Sequence, residues 1–210
     1  MERAPVIHMV DDDAAFQTAM SRLLRASGYE VRTYSSAGDF LLSHHDSTPG
    51  CILLDMRMPG PSGLDLQDAL ARQTDPLPII FLTGHGDIAS SVRAIKAGAV
   101  DFLTKPVDRQ ALLNAVRNAL ARDQENRVAR AALKNWRANY DALTKRERQV
   151  FEGVVAGKLN KEIAAELGTA ERTVKAHRAQ VMEKMRVASL PELVRVADQL
   201  RASPARPSAS

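Results

Sequence analysis

Apolar and polar positions follow two different rhythms along the first 120 residues, and the switch between them predicts the elements. Short apolar runs at residues 6–10, 31–34, 51–54, 79–83 and 102–103 read as five strands. Between them, residues 14–27, 37–43, 64–73, 88–97 and 109–122 carry helical spacing, with Gly28 and Gly98 as stops. Five strand–helix units in succession predict an α/β fold, a doubly wound parallel (βα)5 sheet of the flavodoxin-like kind.

The pattern changes after Leu120. Residues 121–142 contain neither Gly nor Pro, and Leu133, Trp136, Tyr140 and Leu143 recur at steps of 3, 4 and 3. That spacing suits a coiled-coil seam or an amphipathic helix packed on its own domain; Trp136 is expected to be buried in both cases. The fifth helix is therefore expected to run on as a helical connector. Thr144 with Glu147 then forms a capping-box signature, and Val150, Phe151, Val154 and Val155 continue an apolar face until Gly157. A short helix from Asn160 turns Ile163, Ala164 and Leu167 inward and ends at Gly168. A third helix, residues 173–185, buries Val174, Val181, Met182 and Met185 and leaves Lys175, Arg178 and Lys184 outward; residues 190–200 form a fourth. Helix, tight turn, helix is the arrangement that places its second helix in a DNA major groove.

Composition sharpens this division. With 45% hydrophobic residues in 210, the chain can bury one good core or two small ones. Residues 1–122 hold 12 Lys+Arg against 14 Asp+Glu, while residues 123–210 hold 17 against 11. An acidic front half suits a cation and a basic rear half suits a polyanion. No apolar run approaches the roughly 20 residues of a membrane span, and MERAPVIHMVDDD lacks a signal-peptide pattern, so a cytoplasmic protein is expected, with no membrane partner. The single Cys51 lies in an apolar strand and reads as a core residue.

The candidate chemistry sits at the strand ends. The run CILLD stops on Asp55, and Pro59, Gly60, Pro61 and Gly63 prevent its continuation. An aspartate there can simply cap a turn. Other strands, however, deliver Asp11, Asp12 and Asp13, then Thr83, then Lys105 and Pro106 to the same edge. Clustered carboxylates repel unless a hard cation sits among them, and Mg2+ is the natural candidate. A carboxylate can act as nucleophile in phosphoryl transfer while a cation and a lysine neutralise the phosphoryl oxygens. The plainer reading of Lys105 is a salt bridge to the aspartates.

VDDD, LLDMRMPGPSG, LTGHGD and FLTKP, in this order, resemble the receiver domain of two-component response regulators over residues 5–122. The resemblance implies Asp55 as phospho-acceptor, and Asp11, Asp12, Asp55 and the main-chain carbonyl of Arg57 as Mg2+ ligands. Thr83 and Lys105 would contact the phosphoryl group, and Phe102 would be the aromatic that swings inward with Thr83. His85 reads as a loop residue, not a ligand.

LTKRERQV, NKEIAAELG and RTVKAHRAQVMEKM are similar to the DNA-binding domain shared by LuxR, NarL and FixJ type regulators, and the whole layout looks most like the FixJ branch. By that resemblance Thr173, Lys175, Ala176, His177 and Arg178 face DNA, with Asn160 and Lys161 near phosphates. One departure is Thr169-Ala170, where the family carries a hydrophobic residue and then Ser or Thr. Either Thr169 caps the helix one residue early, or its start is uncapped until DNA binds; Ala costs about 1 kcal/mol relative to Ser.

The expected organisation is a receiver over residues 1–122, a helical linker over 123–142, a helix-turn-helix domain over 143–202 and a disordered Pro/Ala/Ser tail over 203–210. The expected partners are a sensor histidine kinase, double-stranded DNA with two half-sites and a second copy of the chain after phosphorylation, with RNA polymerase as a further candidate. A regulator, not an enzyme, is expected. Two other readings stay open here. A phosphatase or phosphotransferase would need a second acid/base carboxylate and a cap domain; a phosphate-independent scaffold would fail to take label from a phosphodonor.

Overall fold

The computed structural model describes residues 4–43, 48–73, 75–84 and 88–202, so the readings of His85 and of the tail at 203–210 lie outside the described residues. The chain divides into two compact units, Met1–Arg127 and Val128–Ser210.

In the first unit, strands β1 (Val6–Val10), β2 (Glu30–Tyr34), β3 (Gly50–Asp55), β4 (Ile79–Thr83) and β5 (Asp101–Thr104) form one parallel sheet. Its order is β2-β1-β3-β4-β5. Helices α1 (Ala14–Ala26), α2 (Ala37–Leu42), α3 (Gly63–Leu70), α4 (Ile88–Lys96) and the start of α5 (Arg109–Asp141) connect them. Strands β1, β3 and β4 are buried along their whole length, as expected for a parallel sheet covered on both faces. One face packs Val10, Phe40, Leu54, Leu66 and Phe81; the other packs Met9, Leu24, Leu53, Leu82 and Val116. The apolar runs fall one residue short at each end of β3 and β5, so Asp55 is the last residue of β3 and not the residue after it.

Helix α5 is a single 33-residue element, so the expected run-on past residue 122 is found. Its receiver-side buried face ends at Asp123, a residue the apolar pattern gives no reason to notice.

The second unit contains α6 (Lys145–Val155), α7 (Asn160–Leu167), α8 (Glu171–Met185) and α9 (Leu190–Ala202). Leu143, Val150, Phe151, Ile163, Val174, Val181, Met185, Leu193 and Val196 form its core. Trp136 and Tyr140 pack against this cluster only partly buried, which corrects the expectation of a buried Trp136. Both belong to the partly buried shell around the cluster and not to its buried core. Tyr140 packs edge-on against Phe151 with ring centroids 5.1 Å apart.

The capping box is present: Thr144 accepts from the Glu147 amide at 3.3 Å, and Glu147 accepts from the Thr144 amide at 2.7 Å. Glu147 is 4% exposed and also holds Lys184 of α8, at 2.8 and 2.7 Å to its two carboxylate oxygens. The hydrogen bond from Lys184, then that from the Thr144 backbone, keep the Glu147 carboxyl below its ordinary range. A depressed folded pKa stabilises the fold above the unfolded pKa, and this contribution vanishes as pH falls through the folded value. Glu147→Gln keeps an acceptor for Thr144 but loses the charge. It should lower the stability of this unit by about 1 kcal/mol at neutral pH. In urea melts the difference should close once pH drops below the carboxylate range; a gap that persists there would show that the Lys184 pairing is not its cause.

Candidate functional site

Parallel strands release their C-terminal ends at one edge, and β1 and β3, adjacent in the sheet, bring Asp11, Asp12 and Asp55 together there. Each offers a carboxylate oxygen within 4.8 Å of the others; Asp11 and Asp55 are buried, Asp12 exposed. All donors are hard oxygens, which fits a small divalent cation such as Mg2+. Asp13 caps α1 instead, its carboxylate accepting from the Ala15 and Phe16 amides at 2.9 and 3.0 Å.

Lys105 reaches into the cluster. Its ammonium lies 2.7 Å from Asp11 Oδ2 and 3.3 Å from Asp55 Oδ2, and 4.3 Å from the centre of the Phe16 ring. Its own amide donates to the Thr83 carbonyl at 2.7 Å, which registers it against β4. The salt bridge expected as the plainer reading is therefore formed. Burial works against the charge on Lys105, but the hydrogen bond to Asp11 and the charges of Asp55 and Asp11 raise its pKa on balance. Burial raises the Asp55 pKa first; Lys105 pulls it down, and the neighbouring Asp11 pushes it up again. Asp55 Oδ1 accepts from the Arg57 amide at 3.4 Å.

Thr83 is buried at the end of β4, and its hydroxyl donates to the Gly84 carbonyl at 2.9 Å. Phe102 on β5 is 41% exposed, pointing away from the core. Asp11, Asp12, Asp55, Thr83 and Lys105 thus share one edge, and Phe102 stands outside it. Phe16, beneath Lys105, carries no signal in the sequence.

In the second unit, α8 starts at Glu171, two residues before the expected start, with Ala170 at the cap position and no side-chain cap bond. The Thr169 amide instead donates to the Ala164 carbonyl, closing α7 beyond Gly168, so Thr169 does not cap α8. Lys161, Lys175 and Ala176 are exposed; Asn160, Thr173, His177 and Arg178 are half-buried. Arg178 Nη1 donates to Asn160 Oδ1 at 3.3 Å across α7 and α8. Arg172 and Ala179 lie on the same stretch of helix face as Lys175 and Ala176; extending the i, i+3, i+4, i+7 rule outward from Lys175 finds them.

Comparison with known proteins places each unit in a family. Residues 7–117 match the response regulator receiver domain, and residues 141–197 match the bacterial regulatory proteins of the luxR family. The chain belongs to the response regulators. It is 47% identical to the response regulator protein TodT of Pseudomonas putida, over 96% of this chain and 89% of that one. It is 44% identical to the transcriptional regulatory protein FixJ of Azorhizobium caulinodans, over 91% and 90%. Among solved structures, the response regulator StyR matches at 44% identity with a TM-score of 0.78, covering 94% of this chain and 100% of that one. Full-length FixJ from B. japonicum matches at 38% identity with a TM-score of 0.55, covering 95% and 98%. This response regulator therefore joins a receiver to a LuxR-type DNA-binding domain, and its relatives are regulators of transcription. Among the described residues, no helix is long and apolar enough to cross a membrane.

Proposed function

We propose that a sensor histidine kinase phosphorylates Asp55 and that the phosphorylated chain dimerises and regulates transcription from a DNA site with two half-sites, in the cytoplasm. The observation that carries this is Lys105, set between Asp11 and Asp55 at 2.7 and 3.3 Å inside a cluster of oxygen donors. Mg2+ would be held by Asp11, Asp12, Asp55 and the carbonyl of Arg57, and when bound it neutralises charge on the phosphoryl oxygens. An Asp55 carboxylate oxygen forms the new bond to phosphorus as the donor's bond to phosphorus breaks. Lys105 exchanges a carboxylate for a phosphoryl oxygen. The Thr83 hydroxyl leaves the Gly84 carbonyl and donates to a second phosphoryl oxygen, and Phe102 turns into the space that Thr83 vacates. The receiver acts here on its own side chain, and its output is regulatory.

Besides the outward Phe102 of β5, the helix α4 that packs beside this strand exposes Val92 at 47% and Ile95 at 42%. We assign the dimer contact to this α4–β5 face. Light scattering of the 23.0 kDa chain with and without a small phosphodonor tests the assignment. The mass should rise toward twice the monomer value, and Ile95→Asp should return it to monomer. A mass unchanged at every concentration would place the output in a monomer instead.

For DNA, Lys175, Ala176, Thr173, His177 and Arg178 are assigned to the major-groove side, with Asn160 and Lys161 toward phosphates. RNA polymerase is a further partner if the protein activates. Arg178→Ala should relax base preference at one position of each half-site, at roughly 1 to 3 kcal/mol. Lys161→Ala should weaken all sequences alike and reduce the salt slope by about 1. Binding to a randomised duplex pool at several salt concentrations separates the two. An unchanged selected motif with Arg178→Ala would move the reading face toward Arg172.

A further inference from the structure

The base of β3, at the opposite end from Asp55, is tied to α5 by a buried ionic group. Asp123 is 1% exposed, and its Oδ2 accepts from the Gly50 amide at 3.0 Å and from Arg127 Nε at 2.6 Å. Arg127 Nη2 donates to the Thr48 carbonyl at 2.8 Å. The same turn is held to β1, since the Val6 amide donates to the Pro49 carbonyl at 2.8 Å. A β-carbon at Gly50 would lie 2.1 Å from the Val6 carbonyl oxygen, so only glycine lets the strand come this close. Arg127 is also the last residue of the receiver unit, and the next residue, Val128, is 60% exposed.

A receiver helix held by apolar packing alone does not need a carboxylate buried under the first residue of a strand, where an unpaired charge is strongly destabilising. Asp123 answers a local need: the Gly50 amide, at the start of β3, takes its acceptor from α5 instead of from a neighbouring strand. We propose that Asp123 and Arg127 form a clamp that fixes the last receiver turn of α5 to the strand carrying Asp55. They are positioning residues for the output: they take no part in phosphoryl transfer, and they make the end of the receiver and the start of the connecting helix move as one piece. This rests on the reading of Asp55 as phospho-acceptor.

The chain carries its own reporter. Cys51 is its single cysteine, adjacent to Gly50 and fully buried, and burial, then the charge of Asp123, push its thiol up to about 12. Opening of the clamp exposes it to a thiol reagent. Arg127→Gln leaves the buried Asp123 carboxylate without its cation, so a urea melt first establishes that this variant folds; Asp123→Asn is the second variant, keeping an acceptor for Gly50 and leaving no charge buried. Leu24→Ala is the control, because it weakens the Cys51 side of the core without touching the clamp.

Three quantities are measured on the full chain. They are Asp55 labelling by a small phosphodonor, Cys51 modification in native buffer, and the phosphodonor-induced gain in affinity for a duplex selected by the phosphorylated wild type. Both clamp variants should label at the wild-type rate, react faster at Cys51 and lose about tenfold of the affinity gain. Leu24→Ala should speed Cys51 modification while keeping the gain. Full retention of the gain in both clamp variants overturns the proposal, as does an equal loss in Leu24→Ala, which would make the effect one of stability. Wild-type protein that takes no label overturns the acceptor reading and this one with it.

Discussion

Asp55→Asn should abolish labelling by a phosphodonor, lowering the rate by about 10^3-fold or more, as expected for loss of a covalent nucleophile. The amide keeps the shape of the side chain and can still accept from the Arg57 amide, but it offers no anionic oxygen to phosphorus. The fold should not suffer. Burial and the nearby Asp11 raise the Asp55 pKa against the pull of Lys105, so the native structure disfavours this charge on balance, and a neutral group there removes that penalty. Chemical melts should show a receiver at least as stable as wild type while intact-mass spectra show no phosphoryl adduct. Undiminished adduct on the variant would mean that another residue is the acceptor.

Gly63→Ala should be strongly disruptive for a single added methyl, and its damage should fall on the site itself. Gly63 opens α3, and its amide donates to the Met56 carbonyl at 3.2 Å. A β-carbon there would lie 2.3 Å from the Asp55 carbonyl oxygen and 3.0 Å from Phe81 Cε1. Neither neighbour can give way cheaply: one is the backbone of Asp55, and the other is a fully buried ring. Displacement of α3 or of the end of β3 should cost about 3 kcal/mol. The rate of Asp55 labelling should fall with it, because the nucleophile moves relative to Lys105. Gly60→Ala is the comparison: its φ of 83° strains an alanine, but no atom lies within 4 Å of the added carbon. It should cost only about 1 kcal/mol and leave labelling unchanged. Urea midpoints for the two variants decide the matter, and equal midpoints would show that close approach at Gly63 is not limiting.

The receiver is largely legible in the sequence because each of its signals is local. Apolar runs mark the strands, glycines mark the helix stops, and a parallel sheet then has to gather Asp11, Asp12, Asp55, Thr83 and Lys105 at one edge. What stays hidden depends on partners distant in sequence. Asp123 resembles any solvent-facing helix residue until the fold sets it beneath Gly50, 73 positions away. Phe16 gains its place under Lys105 in the same way. Trp136 is less buried than its spacing suggests, because periodicity states which face a ring is on, not how much of it the neighbouring core can cover. Helix α8 begins two residues before its apolar spacing indicates, because Glu171 opens it without any capping side chain to mark the start.

In the proposed mechanism, phosphorylation of Asp55 in the receiver sets the DNA affinity of the LuxR-type domain. It is tested most directly by titrating one selected duplex with the full chain, wild type and Asp55→Asn, each with and without phosphodonor and Mg2+ at fixed salt. The wild type should bind more tightly by about 5- to 150-fold when phosphorylated, the usual range of coupling between two sites, and Asp55→Asn should show a single affinity under all conditions. An equal gain in Asp55→Asn, or no gain in a fully labelled wild type, would contradict the account.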